Sequence, residues 1–235
     1  TMGTEGMSIE FESACKLAKK IRNKEISSRE LTDLYVERIE RLDGDLNAVI
    51  HKQFEDALEL AASPDLPDGP FRGVPMLLKD LWAEEAGRPH HAGIQALKDA
   101  DHRSTIDSNM VTRYKEAGFV IVGRTNTPEL GLVATTESLA YGPCRNPWNT
   151  GHGTGGSSGG AAAAVASGML PAANASDGGG SIRIPAGFCG VYGIKPTQGR
   201  VPRYSGAAAP KLANQTSQSG PMTRTVRDSA LLLQV

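Results

Sequence analysis

Gly73-Val74-Pro75-Met76-Leu77-Leu78-Lys79-Asp80 is a short apolar run that ends abruptly in charge. A continuous apolar run of this length, bounded by Gly and Pro, predicts a buried strand. Further on, residues 107–117 predict a helix with Val111 and Tyr114 turned inward, and Gly118 follows as its terminator. Phe119-Val120-Ile121-Val122 then predicts a second strand. Strand, helix and strand in this order imply an α/β fold with a partly parallel sheet.

Working outward, residues 8–62 read as helical. Ser27-Ser28-Arg29-Glu30 fits a capping box, with Ser27 as N-cap and Glu30 reaching back. Leu31, Leu34, Tyr35, Ile39 and Leu42 then fall at helical spacing and form one apolar stripe for core packing. Residues 63–73 are a Pro/Gly/Asp-rich loop, and residues 83–106 are polar and irregular. Residues 142–206 are dense in Gly, Ser, Pro and Asn but show no repeat, so they do not read as a linker. Residues 225–235 carry an apolar helical pattern that runs on without a cap. Residues 1–7 read as a non-native or disordered start, and 8–235 as the N-terminal part of a single domain truncated at its C-terminus.

Composition narrows the function classes. The 235 residues hold 25 basic and 26 acidic side chains, a net charge of -1, so no basic excess points to nucleic acid. Cys15, Cys144 and Cys189 are odd in number and form no Cys-x-x-Cys pair, which argues against a disulfide framework or zinc knuckle and fits a reducing cytoplasm. His90 and His91 lie in no metal-ligand spacing and are expected in an exposed loop or near a cleft. The start lacks a basic region followed by an apolar run, so no signal peptide is read there. The longest uncharged stretch, residues 154–176, is rich in Gly, Ala and Ser and broken by Pro171 and Asn174, unlike a lipid-facing span.

Two segments carry the chemistry. In Gly155-Gly156-Ser157-Ser158-Gly159-Gly160, glycine pairs bracket two serines ahead of an alanine run, which predicts a tight loop entering a closely packed helix. In Asp177-Gly178-Gly179-Gly180-Ser181-Ile182-Arg183-Ile184-Pro185, three glycines precede a serine. Backbone N–H groups without side-chain shielding can converge beside that hydroxyl, as an oxyanion hole requires. Neither segment matches a P-loop or a dinucleotide-binding Gly pattern. Lys79, at a strand end behind three apolar residues, is a candidate base, because burial disfavours the charged form of an amine.

Together these motifs resemble the amidase signature family. The resemblance rests on residues 155–160, 177–186 and 189–197, with 73–80, 123–129 and 141–149 upstream, and extends from about residue 8 to the end. It implies a mixed central β-sheet surrounded by α-helices. It also implies Ser181 as nucleophile, Ser157 as a bridging serine reached through a cis peptide bond, and Lys79 as base. The N–H groups of Gly178, Gly179, Gly180 and Ser181 would form the oxyanion hole. Ser158 and Ser176 are expected to hydrogen-bond within the loops, and Asp177 and Arg183 to pair. No metal or organic cofactor is implied. The expected reaction is hydrolysis of a small-molecule carboxamide, with no nucleic-acid or membrane partner and with homo-oligomerisation left open. The sequence departs from the family at Ser176 and Gly178, where many members have Thr, and at Thr154, where proline is common. The Ser-Asp-Gly-Gly-Gly-Ser-Ile-Arg-Ile-Pro form resembles the branch holding 6-aminohexanoate cyclic-dimer hydrolase and broad amidases. The alternatives are the glutaminase component of an aminoacyl-tRNA amidotransferase, and a non-catalytic fragment lacking the complete substrate pocket.

Overall fold

The computed structural model describes residues 8–202 and 216–235. In chain order the elements are α1 (Ala14–Arg22), α2 (Ser28–Leu46), β1 (Val49–Lys52), α3 (Phe54–Ala62), β2 (Pro75–Lys79), α4 (Gln95–Asp99), α5 (Asn109–Glu116) and β3 (Val120–Thr125). There follow β4 (Glu137–Ser138), β5 (Gly142–Pro143), β6 (Arg145–Asn146), β7 (Asn149–Gly153), α6 (Gly159–Ala166), β8 (Ala172–Asp177), α7 (Arg183–Cys189), β9 (Tyr192–Gly193), β10 (Gln218–Thr223) and α8 (Val226–Leu232).

The central sheet has six strands in the order β1-β3-β2-β8-β10-β9. β2 runs parallel to both β3 and β8, while β1, β10 and β9 pair antiparallel, so the sheet is mixed as expected. β2, β3 and β8 are buried at every position, which is why their sequences show no polar alternation. α6 packs on this sheet with residues 159–165 all buried. Its alanines permit that approach. A Cβ on Gly160 would lie 2.5 Å from the Asn126 nitrogen and 2.7 Å from the Ala48 carbonyl oxygen.

The Ser27–Glu30 capping box is present, and Leu31, Tyr35 and Ile39 of the α2 stripe are fully buried. Residues 8–62 are not helical throughout. Asn47 turns left-handed (φ 52°), the Asp43 carboxylate accepts the N–H groups of Ala48 and Val49, and the chain leaves as β1. The four-residue β1 is too short for its period to stand out between two helices. Residues 83–106 hold α4 and a Pro89–Arg103 bridge, and His91 is buried rather than exposed. At the far end, the Asp228 carboxylate of α8 accepts the N–H groups of Ala14 and Cys15, capping α1 across the molecule.

Ser27→Ala removes both halves of the capping box and is expected to lower stability by about 1 kcal/mol, read as a lower urea midpoint at unchanged m-value.

Candidate active site

Lys79 is the last residue of β2 and Asp177 the last of β8, so the parallel strands deliver both to one edge of the sheet. Open α/β sheets place their binding crevices outside these carboxyl ends. Ser157 lies in the turn entering α6, and Ser181 in the turn between β8 and α7.

Lys79 is completely buried, and its Nζ donates to Ser157 Oγ at 2.7 Å and to Ser176 Oγ at 3.0 Å. The Lys79 N–H donates to Asn174 Oδ1 at 3.3 Å, tying the strand end to β8. The Gly156–Ser157 peptide bond is cis. Ser157 is buried, and its carbonyl accepts from Thr127 Oγ1 at 2.9 Å. Thr136 Oγ1 donates to the Gly155 carbonyl at 2.9 Å and accepts the Gly159 N–H at 3.2 Å. The amine and the relay hydroxyl are thus fixed from several elements at once.

The serine loops are joined to each other. Ser158 Oγ donates to the Ser176 carbonyl at 3.2 Å and accepts the Ser176 N–H at 3.3 Å. The Ser158 N–H donates to the Ser181 carbonyl at 3.1 Å. Ser181 itself is half-buried, so a hydroxyl at the mouth stands above a buried amine.

Asp177 organises the glycine turn. Its carboxylate accepts the N–H groups of Gly180 (2.7 Å), Ile182 (3.2 Å) and Arg183 (3.4 Å). It also receives Arg183 Nε at 2.9 Å and Nη2 at 3.0 Å. Burial raises its pKa, but the Arg183 fork and these N–H groups outweigh it and hold the carboxyl below its ordinary 3.8. One expectation changes here. The Gly180 N–H is donated to Asp177, which leaves Gly178, Gly179 and Ser181 as the donors able to face a substrate.

The sequence reading missed Gly131, a left-handed residue (φ 67°) whose Cβ position lies 2.9 Å from Ser157 Oγ. No motif marked it, because its contact is with a residue far along the chain. Thr127 was visible only as part of a turn. Burial pushes the Cys189 thiol up to about 12 and Cys144 higher still, so neither offers a thiolate. Among the described residues, no group of three or more His, Cys, Asp or Glu is placed to hold a metal ion. No helix among them is long and apolar enough to cross a membrane.

The Amidase family model matches residues 30–235. The chain belongs to the amidase family. It is 41% identical over 225 residues to a 6-aminohexanoate-cyclic-dimer hydrolase of Paenarthrobacter ureafaciens, covering 96% of this chain and 45% of that protein. It is 38% identical over 229 residues to an acylamidase of Rhodococcus erythropolis, covering 95% and 47%. It is also 43% identical over 224 residues to the first component of the glutamyl-tRNA(Gln) amidotransferase of Chromohalobacter salexigens, covering 93% and 45%. A solved 6-aminohexanoate cyclic dimer hydrolase, complexed with substrate, superposes with a TM-score of 0.91 at 41% identity, over 97% of this chain and 47% of that one. This amidase chain therefore spans about half the length of the curated relatives it matches.

Two outcomes follow from the loop geometry. A Cβ on Gly156 would sit 2.2 Å from the Thr135 carbonyl oxygen, whereas one on Gly179 meets nothing within 4 Å. Gly156→Ala is expected to destabilise by about 1–3 kcal/mol and Gly179→Ala by no more than about 0.5 kcal/mol, measured by chemical denaturation. Because the Asp177 pKa is lowered on folding, its contribution is present above 3.8 and is lost as pH falls below that value. The stability gap between the native chain and Asp177→Asn should narrow on acidification below 3.8, a trend that urea midpoints at several pH values would register.

Proposed function

We propose that this chain carries the catalytic machinery of an amidase that hydrolyses a carboxamide C–N bond through an acyl-enzyme. The observation that carries the reading is the buried 2.7 Å contact between Lys79 Nζ and Ser157 Oγ, with Ser181 half-buried on the adjoining loop. In its neutral form Lys79 accepts a proton from Ser157, and Ser157 in turn accepts one from Ser181, whose oxygen attacks the carbonyl carbon. The proton returns through Ser157 to the nitrogen of the leaving amine as the C–N bond breaks. Water then attacks the ester carbonyl, and the same relay returns the hydroxyl proton to Ser181 as the carboxylic acid leaves.

The N–H groups of Gly178, Gly179 and Ser181 are the proposed oxyanion donors, each worth about 3–4 kcal/mol in the transition state. Gly180 serves instead through its bond to Asp177, which sets the turn. Ser158, Ser176, Asp177 and Arg183 support this arrangement, and no cofactor takes part in it. Small cyclic or linear amides are the proposed substrates, in line with the similarity to the cyclic-dimer hydrolase. The similarity to an amidotransferase component favours a second reading, with glutamine as substrate and partner proteins bound to the enzyme. Residues 8–235 are read as the N-terminal part of a longer domain, since the relatives extend to about twice its length. If the remaining part completes the pocket, this portion alone is a non-catalytic fragment. The free thiols of Cys15, Cys144 and Cys189 favour a cytoplasmic setting.

The test is labelling with a fluorophosphonate probe followed by peptide mass spectrometry. The expected adduct is on Ser181, formed on the order of 100-fold more slowly in Lys79→Ala or Ser157→Ala. A folded sample that gives no adduct, or one at another residue, would overturn the assignment. Turnover of glutamine against apolar linear and cyclic amides then separates the two substrate readings.

A further inference from the structure

Lys79 is followed by a second fully buried charge, Asp80, which the relay does not use. The His91 N–H reaches both of its carboxylate oxygens, at 3.1 and 3.2 Å, and the N–H groups of Ala92 and Gly93 also hydrogen-bond to it. Burial raises its pKa to about 6, while Arg124 and these N–H groups pull the other way, so the carboxylate is charged at neutral pH. Arg124, equally buried, donates Nη1 to the Lys79 carbonyl at 3.3 Å and Nη2 to the Ala83 carbonyl at 2.7 Å. His51 Nε2 stands 4.0 Å from Asp80 but is neutral, burial having pushed its pKa down to about 3. Arg124 is therefore the positive charge that Asp80 faces.

The turn that Asp80 gathers is an uncommon one. Ala92 (φ 51°) and Gly93 (φ 72°) are both left-handed, a conformation that a non-glycine residue keeps only where its surroundings hold it. The Ala92 carbonyl accepts the N–H of Leu130, itself left-handed (φ 51°), at 2.8 Å. A Cβ on Gly93 would lie 2.6 Å from the Thr127 carbonyl oxygen and the Pro128 carbonyl carbon, so the turn lies flat on residues 127–131. That segment bounds Ser157. Thr127 Oγ1 holds its carbonyl at 2.9 Å, and the Gly131 Cβ position lies 2.9 Å from its hydroxyl oxygen.

We propose that Asp80 is a positioning residue for the Lys79–Ser157 pair: its carboxylate pins residues 91–93 to the end of β2 and thereby holds residues 127–131 against Ser157. This inference rests on the amidase reading. One strand end then supplies the amine through Lys79 and, through the next residue, the wall that fixes the hydroxyl to which the amine points. A misplacement of about 1 Å in such a pair costs on the order of 100-fold in rate.

The experiment compares the full chain with Asp80→Asn, which keeps the shape but loses the charge and one acceptor oxygen. A fluorophosphonate probe gives the maximal labelling rate at Ser181 and the apparent probe affinity separately, and hydrogen exchange follows the amides of residues 91–93 and 127–131. The expected result is a maximal rate lower by roughly 10- to 100-fold, probe affinity within about 3-fold, faster exchange in both segments and a melt that stays cooperative. A purely structural role would lower the melting temperature and leave the rate of the folded fraction unchanged. That result overturns the proposal while the amidase reading stands. If the native chain gives no adduct at Ser181, both fall together. If Asp80→Asn does not fold, Thr127→Val keeps the carboxylate and removes the last link to Ser157. A rate-selective loss in that variant supports the proposal, and an unchanged rate overturns it.

Discussion

An amine with no exposure to solvent, set 2.7 Å from a serine hydroxyl, is the contact around which this part of the molecule is arranged. Burying a charge-capable group is costly unless its polar atoms find partners. Here the partners come from separate parts of the chain: Ser157 from the turn entering α6, Ser176 and Asn174 from β8. Each partner must be delivered to within a few tenths of an ångström. That requirement explains why the strands on either side of the amine are buried along their whole length.

The loops are rigid for the same reason. Two Gly-rich turns would each lose much conformational freedom on folding. Ser158 joins them, with its hydroxyl and N–H bonded to Ser176 and Ser181 respectively. Asp177 then draws three N–H groups and a guanidinium around one carboxylate. The glycines supply close approach and the polar side chains supply order. Asp80 repeats the device on the other side of the amine, gathering residues 91–93 as Asp177 gathers 180–183.

The fold was legible where one element decides its own conformation. β2 and the start of β3 showed as apolar runs, α2 as a capped stripe, and α5 as a helix closed by glycine. β1 was not legible, since four residues between two helices carry too little period, and only pairing with β3 makes them a strand. α4 was missed because its five residues bury nothing. At the site, the serines, the glycines and Lys79 stood out as types in a pattern. Gly131, Thr127 and Arg124 did not, because each matters through a neighbour many residues away.

The sequence by itself determined the α/β class, the family, and which side chains carry chemistry, because these are written in local runs of apolar residues, glycines and serines. Tertiary structure alone decided that the Gly180 N–H is given to Asp177, that His91 is buried, and that the charge ending β2 is interior rather than a strand cap at the surface. A buried charge is tolerated only where partners from elsewhere in the chain surround it. For Asp80 those partners are Arg124 and the amides of residues 91–93, which only the folded sheet brings to it.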